Sequence, residues 1–141
     1  MAVVTPTSQE SEAQIRRWVD HGGLAVVALC AAWCDTCAQF RGTLDRLAQA
    51  RPEIVFVWLD IEDDSAICGD IDVENFPTLA IYRGERLLHY GVSLPQEGTV
   101  SRLIDAFAHR TDNGASAAQA VLDLPQKLRP RTGGKLPSRA A

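Results

Sequence analysis

The sequence lacks the long apolar runs and leader-like segments that direct a chain into or across a membrane. None of its apolar runs approaches the length needed to cross a bilayer. Residues 1–14 contain no basic segment followed by an apolar one, so a signal peptide is not expected. We therefore expect a cytoplasmic protein. In that compartment, paired thiols are usually catalytic, redox-sensing or metal-binding rather than structural.

Positive charge is scarce outside one end of the chain. The formal net charge is −4, yet residues 126–141 hold five Lys and Arg residues and no acid. Without that segment, residues 1–125 carry a net charge of −9. So acidic a body repels nucleic acid and anionic membranes, and neither is an expected partner.

Apolar periodicity is absent from the last part of the chain. From about residue 111, small residues, proline and basic residues predominate. A segment of this composition cannot bury enough apolar surface to offset its ordering entropy. The sequence therefore predicts a domain at residues 1–110, followed by a basic, flexible tail at residues 111–141.

Cysteines are few, and their spacing allows two interpretations. The chain has four, three of them in "CAAWCDTC" at residues 30–37. The series Cys30, Cys34 and Cys37 has a spacing that iron–sulfur proteins use, with Cys68 as a possible fourth ligand. Zinc usually takes two close cysteine pairs, and only one such pair exists here. A redox dithiol of Cys34 and Cys37, with Cys30 as a buried bystander, is therefore favoured over a metal site, and no cofactor is expected.

The hydrophobic pattern alternates between buried strands and amphipathic helices. Continuous apolar runs predict strands, three-and-four spacing predicts helices, and "RGE" joins two strands of a hairpin. The predicted elements are strands at 2–5, 24–32, 54–61, 78–82 and 86–92, and helices before 21, at 35–50 and from about 99. Strand–helix–strand units require parallel strands, and the hairpin adds antiparallel ones. The predicted fold class is α/β, with a mixed central sheet flanked by helices.

Cys34 lies where the buried strand ends and the next helix begins. Unpaired backbone N–H groups and the positive end of the helix dipole stabilise a thiolate at this position. Cys37 lies one turn along the same face, within reach of Cys34. Because a bridge that closes so short a loop adds little stability, its use must be chemical.

Two segments resemble the thioredoxin-like family. "AVVALCAAWCDTCAQF" (25–40) is similar to its active-site segment, and "VENFPTLAIYRGERLLHYGV" (73–92) is similar to its cis-proline loop and following hairpin. The resemblance covers about residues 2–110. It implies a thiol–disulfide oxidoreductase that acts on protein disulfides and is recycled by a reductase.

The resemblance also implies roles for individual residues. Cys34 corresponds to the nucleophile and Cys37 to the resolving thiol. The residues implied to border the substrate groove are Trp33, Phe76, Pro77, which follows a cis peptide bond, and Gly91.

Three positions depart from the family pattern. Asp35-Thr36 stands between the cysteines where the family usually has Gly-Pro. Ala28 stands where the family has a buried acid, and Trp58 stands roughly where it has the lysine that partners this acid. The missing acid removes the obvious base for activating Cys37. These departures keep open the alternative of a non-catalytic thioredoxin-fold adaptor or redox sensor.

Overall fold

A four-stranded sheet forms the centre of the computed structural model, which describes residues 3–5, 11–69, 71, 73–108 and 117–129. The strands are β1 (Leu24–Cys30), β2 (Val55–Asp60), β3 (Thr78–Arg83) and β4 (Arg86–Val92). Their order across the sheet is β2-β1-β3-β4. β1 and β2 are parallel, whereas β3 is antiparallel to both β1 and β4. The predicted mixed sheet is confirmed.

Helices cover both faces of this sheet. They are α1 (Ser11–Val19), α2 (Asp35–Ala50), α3 (Ser65–Cys68), α4 (Glu97–Ala108), α5 (Gln119–Leu122) and α6 (Leu124–Leu128). The α2 face is the side that α2 and α4 cover, and the α6 face is the side covered by α1, α3, α5 and α6. Within the described ranges, no helix is long and apolar enough to span a bilayer.

The side chains of β1 point alternately to the two faces of the sheet. All seven residues of this strand are buried. Val26 and Ala28 join the core cluster of the α2 face, whereas Val27 and Leu29 join the cluster of the α6 face. Neighbouring side chains of a strand point to opposite faces, so a strand covered on both sides must be apolar throughout. This explains the continuous apolar run in the sequence.

The predicted first strand is reduced to a single bridge. Val4 forms a parallel bridge with Val57 of β2. The Val4 N–H donates to the Phe56 carbonyl at 2.9 Å, and the Trp58 N–H donates to the Val4 carbonyl at 2.9 Å. Residues 3–5 therefore lie beside β2 at the edge of the sheet.

Part of the predicted tail packs on the core. Val121, Leu124 and Leu128 are buried in the cluster that contains Trp18 and Tyr82. The Tyr82 hydroxyl also donates to the Val121 carbonyl at 2.7 Å. The prediction of a flexible tail therefore does not hold for residues 117–128, because their buried apolar side chains pack on the α6 face. The predicted boundary at residue 110 lies outside the described residues.

Candidate functional site

The candidate site lies at the carboxyl end of β1, where the chain turns into α2. The Cys34 N–H donates to the Ala31 carbonyl at 3.1 Å, which closes a tight turn. Cys34 is the N-cap of α2 in extended conformation (φ −91°, ψ 121°), and its side chain makes no capping hydrogen bond. The Cys34 sulfur therefore does not cap the helix. Cys34 nevertheless lies next to the first turn of α2, whose N–H groups have no partner within the helix.

The disulfide of the structure joins Cys30 and Cys37. Their Cα atoms are 5.8 Å apart, and both residues are buried. Cys34 is a free, half-buried thiol. The predictions that Cys37 pairs with Cys34, and that Cys30 is a bystander, therefore differ from the observed pairing.

Strand alternation explains the observed pairing. Cys30 is two residues beyond Ala28 on β1, so it points to the α2 face, where Cys37 also lies. The sequence predicts Cys30 to be a small buried hydrophobe or, in the metal hypothesis, a ligand. The signal for this pairing is the parity of Cys30 along β1, which places Cys30 under the first turn of α2.

Cys68 is separated from the other cysteines by the sheet. It lies in α3, within the core cluster of the α6 face. Burial raises the pKa of its thiol to about 11, and the neighbouring Asp64 and Asp60 act in the same direction. The described residues contain no group of three or more His, Cys, Asp or Glu side chains placed to hold a metal ion. The structure thus does not bring together the four cysteines of the metal hypothesis.

Two aromatic side chains form an apolar rim beside Cys34. Trp33 is 64% exposed. Its Nε1 donates to Glu62 Oε2 at 3.2 Å, and its ring meets the Phe76 ring edge-on at a centroid distance of 5.5 Å. This ring contact links the cysteine segment to the loop before β3.

The loop before β3 contains the expected cis peptide bond. The Phe76–Pro77 bond is cis, as predicted. The Ser93 N–H donates to the Pro77 carbonyl at 3.0 Å, which ties this loop to the end of β4. Gly91 and Asn75 line a shallow groove next to the loop. The assignment of this groove to substrate binding stays a prediction.

Apolar contacts replace the acid and lysine of the family pattern. Ala28 and Trp58 are direct partners in the parallel ladder of β1 and β2. Ala28 is fully buried, and the Arg41 guanidinium lies 5.1 Å from the centroid of the Trp58 ring. Asp60 is the carboxylate opposite Cys30 in the same ladder, and its Oδ1 accepts N–H bonds from the loop that follows β2. Position 28 therefore provides no proton acceptor for Cys37.

Sequence comparisons find a family and several distant relatives. The family model described as Thioredoxin matches residues 3–105. A thioredoxin from Ophiophagus hannah is 27% identical over 66 residues, which cover 47% of this chain and 63% of that protein. Thioredoxin-like protein CXXS1 from Oryza sativa subsp. japonica is 29% identical over 90 residues, which cover 63% of this chain and 66% of the relative. The matches thus span slightly less than two thirds of each relative.

Solved structures share the fold at low sequence identity. Thioredoxin from Fasciola hepatica has a TM-score of 0.60 and 22% identity, and the match covers 76% of this chain and 99% of that one. Thioredoxin NaTrxh from Nicotiana alata has a TM-score of 0.62 and 17% identity, with 75% and 92% of the chains covered. The similarity places the mixed sheet and its helices in the thioredoxin fold.

Proposed function

The chain belongs to the thioredoxin family, and on that premise we propose that it is a thiol–disulfide oxidoreductase acting on protein disulfides. The observation that carries this proposal is the placement of two cysteines on α2. Cys34 is a half-buried free thiol at the N-terminus, and Cys37 is buried one turn further along. Solvent reaches Cys34 but not Cys37. This difference suits a reaction in which Cys34 attacks the substrate first and Cys37 attacks second.

The proposed reaction starts from the reduced protein. The Cys34 thiolate attacks one sulfur of a substrate disulfide, and the other substrate sulfur leaves as a thiolate that takes a proton. Cys37 then loses its proton and attacks Cys34, which forms the Cys34–Cys37 bond and releases the second substrate thiol. The substrate has gained two electrons and the protein has lost them, so a recycling reductase must return them.

The surroundings of Cys34 support a protein substrate. Trp33 is 64% exposed, and the half-buried Phe76 meets its ring edge-on. An exposed aromatic rim suits apolar segments that flank a substrate disulfide. The acidic side chains after β2, including Glu62 and Asp63, disfavour acidic partners.

A second candidate function is that of a non-catalytic adaptor or redox sensor. The apolar pair Ala28 and Trp58 favours this alternative because no base lies at the position where the family has its acid. Such a protein would form a mixed disulfide through Cys34 but resolve it too slowly for turnover.

Reduction of insulin disulfides distinguishes the two functions. Dithiothreitol serves as the recycling reductant, and precipitation of the freed insulin chains reports the rate. We expect the wild-type protein to accelerate precipitation and Cys34→Ser to lose all acceleration, since no attacking thiolate remains. Cys68→Ser is the matched control and should behave like the wild type. An uncatalysed rate with the wild-type protein would contradict the oxidoreductase proposal.

A further inference from the structure

Cys37 has two sulfur partners within reach on the α2 face. Cys34 precedes it by one helical turn. Cys30 lies on β1 with its Cα atom 5.8 Å from that of Cys37, within the range that disulfides span. Cys30 and Cys37 are 0% and 1% exposed, whereas Cys34 is half-buried. A Cys34–Cys37 bond therefore includes a sulfur that partner proteins can reach, whereas the Cys30–Cys37 bond is enclosed in the core.

We propose that Cys30 is a third redox-active cysteine. It replaces Cys34 as the disulfide partner of Cys37, so that the disulfide lies in the core. This proposal rests on the proposed function and adds a step after substrate release. It assigns a chemical role to a residue that the thiol–disulfide reaction itself does not require.

The step is an intramolecular exchange. The Cys30 thiol attacks the Cys37 sulfur of the Cys34–Cys37 bond, and its proton passes to the departing Cys34 sulfur, which exchanges it with solvent because Cys34 is only half-buried. The Cys30–Cys37 bond forms, the Cys34–Cys37 bond breaks, and Cys34 becomes the free thiol. One disulfide replaces another, so no external oxidant or reductant takes part.

The surroundings of the two leaving sulfurs favour this direction. Cys34 is half-buried at the start of α2, where solvent reaches its sulfur. Cys30 is fully buried on β1, where an apolar environment disfavours the charged form. The exchange therefore moves the free sulfur from the buried Cys30 to Cys34, where water can solvate it.

The enclosed disulfide has a consequence for recycling. A reducing thiol cannot reach the Cys30–Cys37 bond directly because both residues are buried. Reduction must wait until Cys34 attacks Cys37 and re-forms the accessible Cys34–Cys37 bond. The oxidised protein thus keeps a free Cys34 and is reduced at a rate that its own internal exchange limits.

Disulfide mapping of the oxidised wild-type protein tests the pairing without a mutation. Free thiols are blocked with N-ethylmaleimide in acidic denaturant, and the chain is then cleaved after Trp33, which separates Cys30 from Cys34 and Cys37. We expect the two fragments to be joined through Cys30 and Cys37, with the label on Cys34. Separate fragments, with the label on Cys30, would overturn the proposal.

Reduction kinetics test the exchange step. For the oxidised wild-type protein, the rate of reduction should reach a plateau as the dithiothreitol concentration rises. Cys30→Ala should remove the plateau and leave a linear dependence, because only the Cys34–Cys37 bond can form. Cys30→Ser is a second variant in case the first does not fold, and Cys68→Ala is the control that should keep the plateau. A linear dependence in the wild-type protein would overturn the proposal.

Insulin reduction separates this proposal from the one on which it rests. Cys30→Ala retains Cys34 and Cys37, so it should still reduce insulin disulfides. If the wild-type protein and Cys30→Ala both reduce insulin but the mapping finds only Cys34–Cys37, the Cys30 exchange alone is wrong. If neither protein reduces insulin, the oxidoreductase proposal fails and the mapping still decides the role of Cys30.

Discussion

Each face of the sheet contains a buried cysteine, but their surroundings differ. On the α2 face, Cys37 is bonded to Cys30 and lies one turn from the free thiol of Cys34. On the α6 face, Cys68 lies in a four-residue helix, and its sulfur is 4.0 Å from the Asp60 carbonyl oxygen. Exposure is 1% for Cys37 and 2% for Cys68. Burial therefore does not distinguish them. The two cysteines differ instead in their neighbours, because Cys37, in the first turn of α2, lies near two other sulfurs and Cys68 does not.

The α6 face is held by packing and by hydrogen bonds from buried side chains to backbone carbonyls. The Trp18 and Tyr82 rings lie 5.4 Å apart, and Trp18 Nε1 donates to the Gly84 carbonyl at 2.7 Å. Leu124 of α6 is fully buried in the same cluster. We expect changes on this face to alter stability and changes on the α2 face to alter chemistry.

The largest expected effect is the loss of stability in Leu124→Ala. Truncation of a fully buried leucine should lower the free energy of unfolding by about 2–5 kcal/mol. Urea denaturation provides the measurement, and insulin reduction by the folded variant should match the wild type. Leu94→Ala is the control, because Leu94 is 60% exposed and its truncation should cost less than about 0.5 kcal/mol. Equal effects of the two substitutions would show that α6 does not contribute to the core.

On the α2 face, Ala28→Asp should accelerate resolution. A carboxylate at this position could take the proton from Cys37, so a preformed mixed disulfide should resolve roughly tenfold faster or more. The variant should also be less stable, since a buried unpaired carboxyl group is costly to desolvate. Stopped-flow measurements across pH report the resolving step.

Ala28→Asn is the matched control for this substitution. It has nearly the same shape as aspartate but cannot accept the proton as a general base. Resolution in the wild-type protein should be slow near neutral pH and accelerate as pH rises. A fast wild-type rate that does not change with pH would show that another base, such as Asp60, already serves Cys37.

A smaller effect is expected at the aromatic rim. Trp33→Ala removes the exposed ring beside Cys34, so the KM for a protein disulfide should rise about twofold to tenfold while kcat changes little. Trp33→Phe keeps a ring for the edge-on contact with Phe76 and loses the hydrogen bond to Glu62. It should therefore stay close to the wild type. If Trp33→Ala leaves KM unchanged, substrates do not contact this rim.

The smallest effect should appear at Cys68. Since burial raises its pKa to about 11, the thiol of the folded protein should react slowly with iodoacetamide near pH 8 and faster as pH rises toward 11. In the unfolded chain the thiol ionises near its ordinary pKa of 9.0, so the neutral buried form contributes stability below pH 9 that is lost as pH rises through about 11. Cys68→Ala should remove this component of the pH dependence. Equal reactivity of Cys68 and Cys34 at pH 8 would contradict the difference between the faces.

The sequence predicted the elements with strong periodicity and failed where contacts across the fold decide the outcome. The continuous apolar run before Cys30 and the three-and-four spacing after Cys34 are clear signals, and the predicted cis bond at Pro77 is confirmed. Helices α5 and α6 have only four and five residues, too short for a periodic signal. Their apolar side chains are buried because Trp18 and Tyr82 offer a matching surface.

The pairing of Cys30 was missed for a related reason. A cysteine within an apolar strand is usually a small hydrophobe. Its reactivity depends on which face of the strand the helix covers, and on how far along the helix its partner lies. Neither quantity is local to the motif, so the spacing of the cysteines could not reveal the bond between Cys30 and Cys37.

The most direct test of the account is to trap the mixed disulfide with Cys37→Ser. The reduced variant is mixed with insulin without any other reductant, and the products are identified by intact mass and peptide mapping. If Cys34 attacks and Cys37 resolves, a stable adduct should accumulate on Cys34, whereas the wild-type protein should release its substrate. An adduct on another cysteine, or the same absence of adduct in both proteins, would contradict the account.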